Sequence, residues 1–466
     1  MQKHTGMRRL GPMHRTLLTA GALLAVLTPL GCANPFETDV DNPNAVVEDA
    51  LSNAAGATTL VNGLGASVTR ALAAVYGPYA TTTDELTWVG SREFWKNLDD
   101  GDVADPVNEY TDGAYPFVSE ARWTANYTMP KILAFDAASS LRNRRDHVRA
   151  HIYSAVIYIT IGDMFDDFVL NADRTVAGAN VGEANMRIFY DSAIVFLDRA
   201  LPVAVALADV ELQRQVLGLR ARAKHARATW ATIKPSRTTP ANPLVSDAGA
   251  TADAAAMLAL GGGTPVTWAF RLTPTANNLP GINVGFEMNN RGELRAGNEF
   301  VVADPSRPIV PLAGLPGIRM LDPVTGVASA TVATAIDACC RPAVGNNVPM
   351  TMVSAREMLL IQAEERLFAA DNPNFLARLN LSRTASALPA YPSVTGNGRV
   401  QLEFERKTQL FLQGRRLNDM YRFGSRDPRW LPSSSAFVKP CFLPITYGER
   451  QQNLLAPQPN NLRLCL

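Results

Sequence analysis

The chain has 466 residues, 44 Lys+Arg against 43 Asp+Glu, and a formal net charge of +1. With 47% hydrophobic and 19% charged residues, the composition is globular and excludes wholesale disorder. The near-zero charge excludes the basic footprint of a nucleic-acid binder, and the length suits one large domain or two to three smaller ones.

The first residues read as an address. Lys3, Arg8, Arg9 and Arg15 precede the apolar run 17–30, LLTAGALLAVLTPL, with no acid before Cys32. As a helix this run rises about 21 Å, short of a bilayer core of about 30 Å, so it predicts a secretory signal over residues 1–31. Leu30-Gly31-Cys32 resembles a bacterial lipobox, although Pro29 stands where Leu is usual. It predicts diacylglycerol on the Cys32 thiol and a polar tether over 32–45, which together anchor the body to a membrane. The remaining body has 40 basic and 43 acidic residues, net −3, which slightly disfavours a strongly anionic ligand.

In chain order, residues 45–76 predict a helix with Asn44 as its cap, and 117–140 a second. Val148, Ile152, Ala155 and Ile159 form one helical stripe over 146–161, with Gly162 as its expected stop. Residues 183–206 and 209–234 predict a helix pair, and 250–260 an Ala-rich helix that stops at Gly261. The Pro-, Gly- and Asn-rich stretch 261–350 predicts loops with minor strands. Helices resume at 354–370 and 374–384, parted by Asp371-Asn372-Pro373, and the last long helix is expected over 398–423. Helix pairs joined by short turns predict an all-α fold of about eight helices in tetratricopeptide-like pairs. Its parts are a helical region 46–260, a loop-rich insert 261–350, and C-terminal helices with their tail over 351–466.

Four cysteines remain, Cys339, Cys340, Cys441 and Cys465. A bridge between adjacent cysteines is strained, so each of the first two is expected to pair with one of the last two.

The segment Phe404–Arg422, with Glu405-Arg406, Gln409-Leu410, Gln413-Gly414, Arg416, Asp419 and Arg422, is the most specific in the chain. It resembles the C-terminal helix of SusD/RagB-like nutrient-binding outer-membrane lipoproteins, except that Gln409 and Gln413 stand where that family usually has Glu. Arg145–Leu170 with Ile161-Gly162-Asp163, Met352–Ala363 with Arg356-Glu357, and Leu443-Pro444-Ile445 with Glu449 and Asn453 resemble further family segments in the same order. The resemblance implies four helix pairs with a loop-rich ligand-binding face. It implies no catalytic site and no cofactor. It implies a surface lipoprotein that binds an oligosaccharide or a peptide and passes it to a SusC-like TonB-dependent outer-membrane transporter. An envelope scaffold that binds only proteins is the alternative reading.

Sugar recognition wants flat apolar faces and planar polar groups. Trp88, Arg92, Phe94, Trp95, Asn97 and Asp99 form the first such cluster, in an irregular stretch. Trp268, Asn289, Asn290 and Arg291 form the second, where Asn density equally suits turn formation. Glu405, Arg406, Arg416 and Asp419 are read as a buried structural network, because buried charges need partners. His147 and His151, four apart, lack the Glu that a zinc-protease motif needs and predict a solvated helix start, as His225 predicts a solvated face. The acidic run Asp99–Asp102 lacks EF-hand spacing and reads as a solvated turn.

Overall fold

The computed structural model describes residues 51–171, 176–262, 266–302, 317–457 and 465. The signal segment 1–31, Cys32, the tether 32–45 and Asn44 lie outside these residues. Asn53 caps the turn Ala54–Gly56: its side chain accepts the Ala55 and Gly56 N–H groups. Helix α1 (Ala57–Thr81) follows. Then come β1 (Leu86–Trp88), α2 (Glu93–Asp99), α3 (Glu109–Ala137), α4 (Arg145–Met164), α5 (Arg187–Ala206), α6 (Val210–Ile233) and α7 (Ala248–Ala259).

The stretch expected to be loops contains β2 (Ala269–Leu272), α8 (Val284–Asn289), β3 (Leu294–Ala296) and α9 (Ala330–Cys339). After it come β4 (Met350–Ser354), α10 (Ala355–Phe368), α11 (Asn372–Thr384), α12 (Arg399–Gln409), α13 (Arg416–Phe423), α14 (Ser435–Val438) and α15 (Tyr447–Gln452). The fold is all-α, with two minor two-stranded sheets, β1–β3 and β2–β4.

The helices pack in pairs, but 183–206 and 209–234, expected as one pair, belong to neighbouring pairs. α1 packs on α3, α4 on α5, α6 on α7 and α10 on α11. Each pair also touches the next, through α3 with α4, α5 with α6, and α7 with α10. The stripe predicted on α4 is its buried side: Val148, Ile152, Ala155 and Ile159 are all within 1% of fully buried.

Gly162 does not end α4, which runs on to Met164. A Cβ there would lie 2.8 Å from the Tyr190 ring, so this glycine serves close helix packing. Pro373 falls in the first turn of α11 and Asp371 caps that helix, so the expected break is a helix start.

The helix expected over 398–423 is two helices, α12 and α13. Leu412 at φ 53° and Gly414 at φ 70° turn the chain between them, and a Cβ on Gly414 would meet Met164 Cε at 2.8 Å. The expected disulfide pairing is also corrected: Cys339 bonds Cys340, and Cys441 bonds Cys465. The first bridge closes the end of α9 and the second ties the tail to the strand-like segment after α14. His147 and His151 are not solvated. They stack at 4.4 Å in the interior, and burial pushes the His151 ring down to about 4. His225 is likewise buried, 3.0 Å from Glu364.

The turn between α12 and α13 places a row of buried arginines, and each reaches a carboxylate on another part of the array. Arg422 forks onto Glu364 of α10 and reaches Asp419 at 2.9 Å. Arg406 takes the other oxygen of Asp419 at 2.9 Å. Arg416 grips both oxygens of Asp84 at 2.7 and 2.9 Å. Arg415 joins Asp163 of α4 to Glu357 of α10. Glu405 takes Arg383 of α11 at 2.5 Å. Arg416 thus pairs across the fold and not with Asp419 along its own helix, which answers the structural expectation for these residues.

Burial alone would raise the Asp84 carboxyl, but Arg416 and Lys407 overcome it and hold the group well below the usual range. Its neighbour Glu85 has no such partner. Burial pushes Glu85 up to about 8, and its Oε1 accepts the Leu412 N–H at 2.7 Å.

Two outcomes follow from this network. Arg422→Ala removes the forked partner of Glu364, leaving it His225 and a more distant Arg406, and is expected to lose about 3 kcal/mol in urea unfolding, a loss that Arg422→Lys does not restore. The Glu85 term has the opposite sign to a paired carboxylate. Its folded pKa lies above the unfolded one, so the folded state holds the extra proton. The stability from that proton is full below the unfolded value of 4.5 and is lost as pH rises through about 8. Glu85→Gln keeps the oxygen that accepts from Leu412 and removes the titration. Its unfolding free energy is expected to fall less between pH 5 and pH 8.5 than that of the parent, as read by urea melts at both pH values.

Candidate functional site

The first sequence cluster is assembled by a carboxylate from the second. β1 pairs antiparallel with β3, Trp88 opposite Leu294, and the Val89 N–H extends the ladder to the Glu293 carbonyl at 2.9 Å. The chain then turns at Gly90, where a Cβ would lie 2.1 Å from Glu293 Oε2 and only glycine fits. Glu293 accepts the Ser91 and Arg92 N–H groups at 2.9 Å each. It thereby supplies from a distant segment the cap that Arg92, at the N-cap of α2, does not supply itself.

Behind this turn Trp95 is 1% exposed and stacks on Tyr110 at 3.7 Å. Its indole N–H donates to Glu287 at 3.3 Å, and Arg291 pairs with the same carboxylate at 3.2 Å. Asp99 is buried against Arg429 and accepts the Thr87 hydroxyl at 3.0 Å. Burial pushes the Asp99 carboxyl up to about 7, against the pull of Arg429. Asn289 is buried and donates to the Cys339 and Gly345 carbonyls at 2.8 and 2.9 Å.

The ten residues expected to bind ligand therefore separate by role. Trp95, Asp99 and Asn289 hold the framework. Arg92 and Asn290 are exposed, and Trp88, Phe94, Asn97 and Arg291 are half-buried around the same turn. The β1–β3 pairing and Glu293 bring Trp88 and Arg92 beside the end of α8, and Arg291 pairs with Glu287; Phe94 and Asn97 follow on α2, and Asn290 stands at the end of α8. Trp268 is not part of it: it precedes β2 and donates to Glu211 of α6 at 2.8 Å.

A second feature escaped the reading of the sequence. A cleft of about 390 Å³ opens beside the α12–α13 turn, walled by Arg271, Thr331, Met350, Arg356, Phe411 and Gln413 among others. β2, β4 and α9 contribute to its walls, and so does the vicinal disulfide through Cys339. Val284 of α8 also lines it, so α8 borders the cleft with its first residue and supports the Trp88 neighbourhood through Glu287. The signals present in the sequence were Gln409 and Gln413, two departures from the motif that both line this cleft. No spacing rule links them to Arg271 or Thr331, because those contacts are set by the sheet β2–β4 and the fold of α9.

No protein-family model matches the chain, and no curated protein matches it in sequence. Solved structures do match in fold. A SusD superfamily protein from Bacteroides thetaiotaomicron is 10% identical, with 88% of this chain and 100% of that one covered at a TM-score of 0.59. A SusD-like carbohydrate binding protein from Bacteroides vulgatus is 12% identical, with 80% and 84% covered at a TM-score of 0.51. A laminarin binding SusD-like protein is 12% identical, with 87% and 98% covered at a TM-score of 0.51. The architecture of helix pairs carrying inserted loops is therefore the SusD-like fold.

Proposed function

We propose that the protein is a nutrient-binding surface lipoprotein that takes up an oligosaccharide and hands it to a TonB-dependent outer-membrane transporter, without turnover. The observation that carries this reading is the fold, which covers nearly the full length of SusD-like chains, two of them named for carbohydrate or laminarin binding. The exposed side of the Gly90 turn supports it. Trp88 and Phe94 offer partly open ring faces, while Arg92, Asn97, Asn290 and Arg291 offer planar donors and acceptors for hydroxyls. Attachment through Cys32 would hold the body at a membrane. The described helices include none long and apolar enough to cross a membrane, in keeping with attachment by a lipid.

Two measurements test the reading. Native membranes solubilised in mild detergent are expected to yield the protein with a large TonB-dependent barrel in stoichiometric amount; recovery alone or with scaffold-type envelope proteins overturns the transporter role. In glycan-array or calorimetric binding, Trp88→Ala and Asn290→Ala are expected to weaken the best oligosaccharide by about tenfold each, roughly 1.4 kcal/mol. Unchanged affinity in both variants would remove the Gly90 turn from the site.

A further inference from the structure

We propose that the 390 Å³ cleft beside the α12–α13 turn binds an anionic sugar residue, its carboxylate or sulfate held between Arg271 and Arg356. The inference rests on the oligosaccharide reading and adds the chemical class of the sugar.

The pairing of arginines elsewhere is the starting point. Arg383, Arg406, Arg415, Arg416 and Arg422 each meet at least one carboxylate. Arg271 and Arg356 meet none among the described residues. Arg271 lies exposed on β2, and Arg356 is half-buried with a single 3.4 Å contact to the Ala385 carbonyl. The two are close enough to repel: burial and the Arg271 charge together push the Arg356 guanidinium down. Arg356 also stands in the first turn of α10, where the helix dipole already favours an anion and disfavours a cation. Ser354 caps that turn, so the unmet demand is one of charge.

The rest of the lining fits a sugar. Among the described residues no carboxylate lines the cleft; Gln413 lines it, while the amide of its neighbour Gln409 is taken by Glu405 and Ser382. Thr331 is 3% exposed with its hydroxyl unpartnered, and Gln413 Oε1 is buried without a donor. A ring hydroxyl can satisfy both, since it donates and accepts. Pro349, Met350, Phe411 and Leu412 supply an apolar wall for the C–H face of a ring. The volume lies within the range of small-ligand pockets, about 300–1,000 Å³. A guanidinium recognises carboxylate and sulfate in the same forked geometry, so both sources share one chemistry. The net −3 of the body does not oppose this, because screening limits distant charges to about 8–10 Å while the arginines act in contact.

The test is calorimetric titration of the full chain with trigalacturonate, its fully methyl-esterified form, a sulfated oligosaccharide, a neutral laminari-oligosaccharide and an acidic peptide. Trigalacturonate or the sulfated sugar is expected to bind at least tenfold more tightly than the methyl ester. Arg271→Gln is expected to lose about tenfold for the anionic sugar and leave the neutral one unchanged. Arg271→Lys should restore part of the loss, and Arg356→Gln should match Arg271→Gln. Arg271 is exposed, so its variants are expected to keep the parent melting temperature. Equal binding of acid and ester, or no effect of Arg271→Gln, overturns the proposal. If neutral sugars then still bind in a Trp88-dependent way, the oligosaccharide reading stands by itself. Arginine-dependent binding of the peptide alone, or binding of nothing, overturns both.

Discussion

A charge in the interior of a protein must meet its opposite, and this one constraint organises the molecule. The segment between Glu405 and Arg422 places arginines at the centre; their carboxylates arrive from α4, α10 and the loop after α1, and Arg383 of α11 comes to Glu405. The network therefore reads out whether three of the helix pairs have docked. A pair out of place leaves a buried ion without a partner, which is among the most expensive errors a fold can make. The apolar stripes bring the helices together, and the ion pairs select one arrangement among the many that stripes permit.

That division explains what was legible in the sequence. The 3.6-residue stripe of α4 is local, and local patterns give helix existence. The specific motif marked the buried charges, and the rule that such charges pair gave their role. What was missed depends on contacts between distant segments. The break after Gln409 needs the left-handed Gly414, which looks like an ordinary helical glycine until Met164 and Tyr76 are seen against it. The histidines of α4 seemed solvent-directed because their neighbours in sequence are arginines, yet in space they face the α3–α4 junction and Phe196. The cysteine pairing failed on a general preference against adjacent bridges, which the end of α9 does not obey.

The candidate site shows the same split. Aromatic and polar residues at Trp88–Asn97 and Asn289–Arg291 were recognisable as a sugar-binding composition, and their spatial union through Glu287 and Glu293 was not. Nor could composition say which members face outward: Trp95 has the residue type for stacking on a ligand and stacks on Tyr110 instead. The cleft is a product of tertiary structure, since its walls come from six separated stretches. Cys339, Arg356, Gln409 and Gln413 had been marked beforehand, none of them as part of a cleft.

The anchoring of the Gly90 turn by Glu293 has a consequence for how such a face can change over time. The fastening uses main-chain N–H groups of residues 91 and 92, so it makes no demand on the side chain of Arg92. Asn290, fully outside the packed layer, is equally unconstrained by the frame. Substitutions at these positions alter what the surface meets without loosening the hinge that holds it. A lineage facing a new food source could thus sample new specificities at little risk to folding, while Gly90, Glu293 and Trp95 stay under purifying pressure.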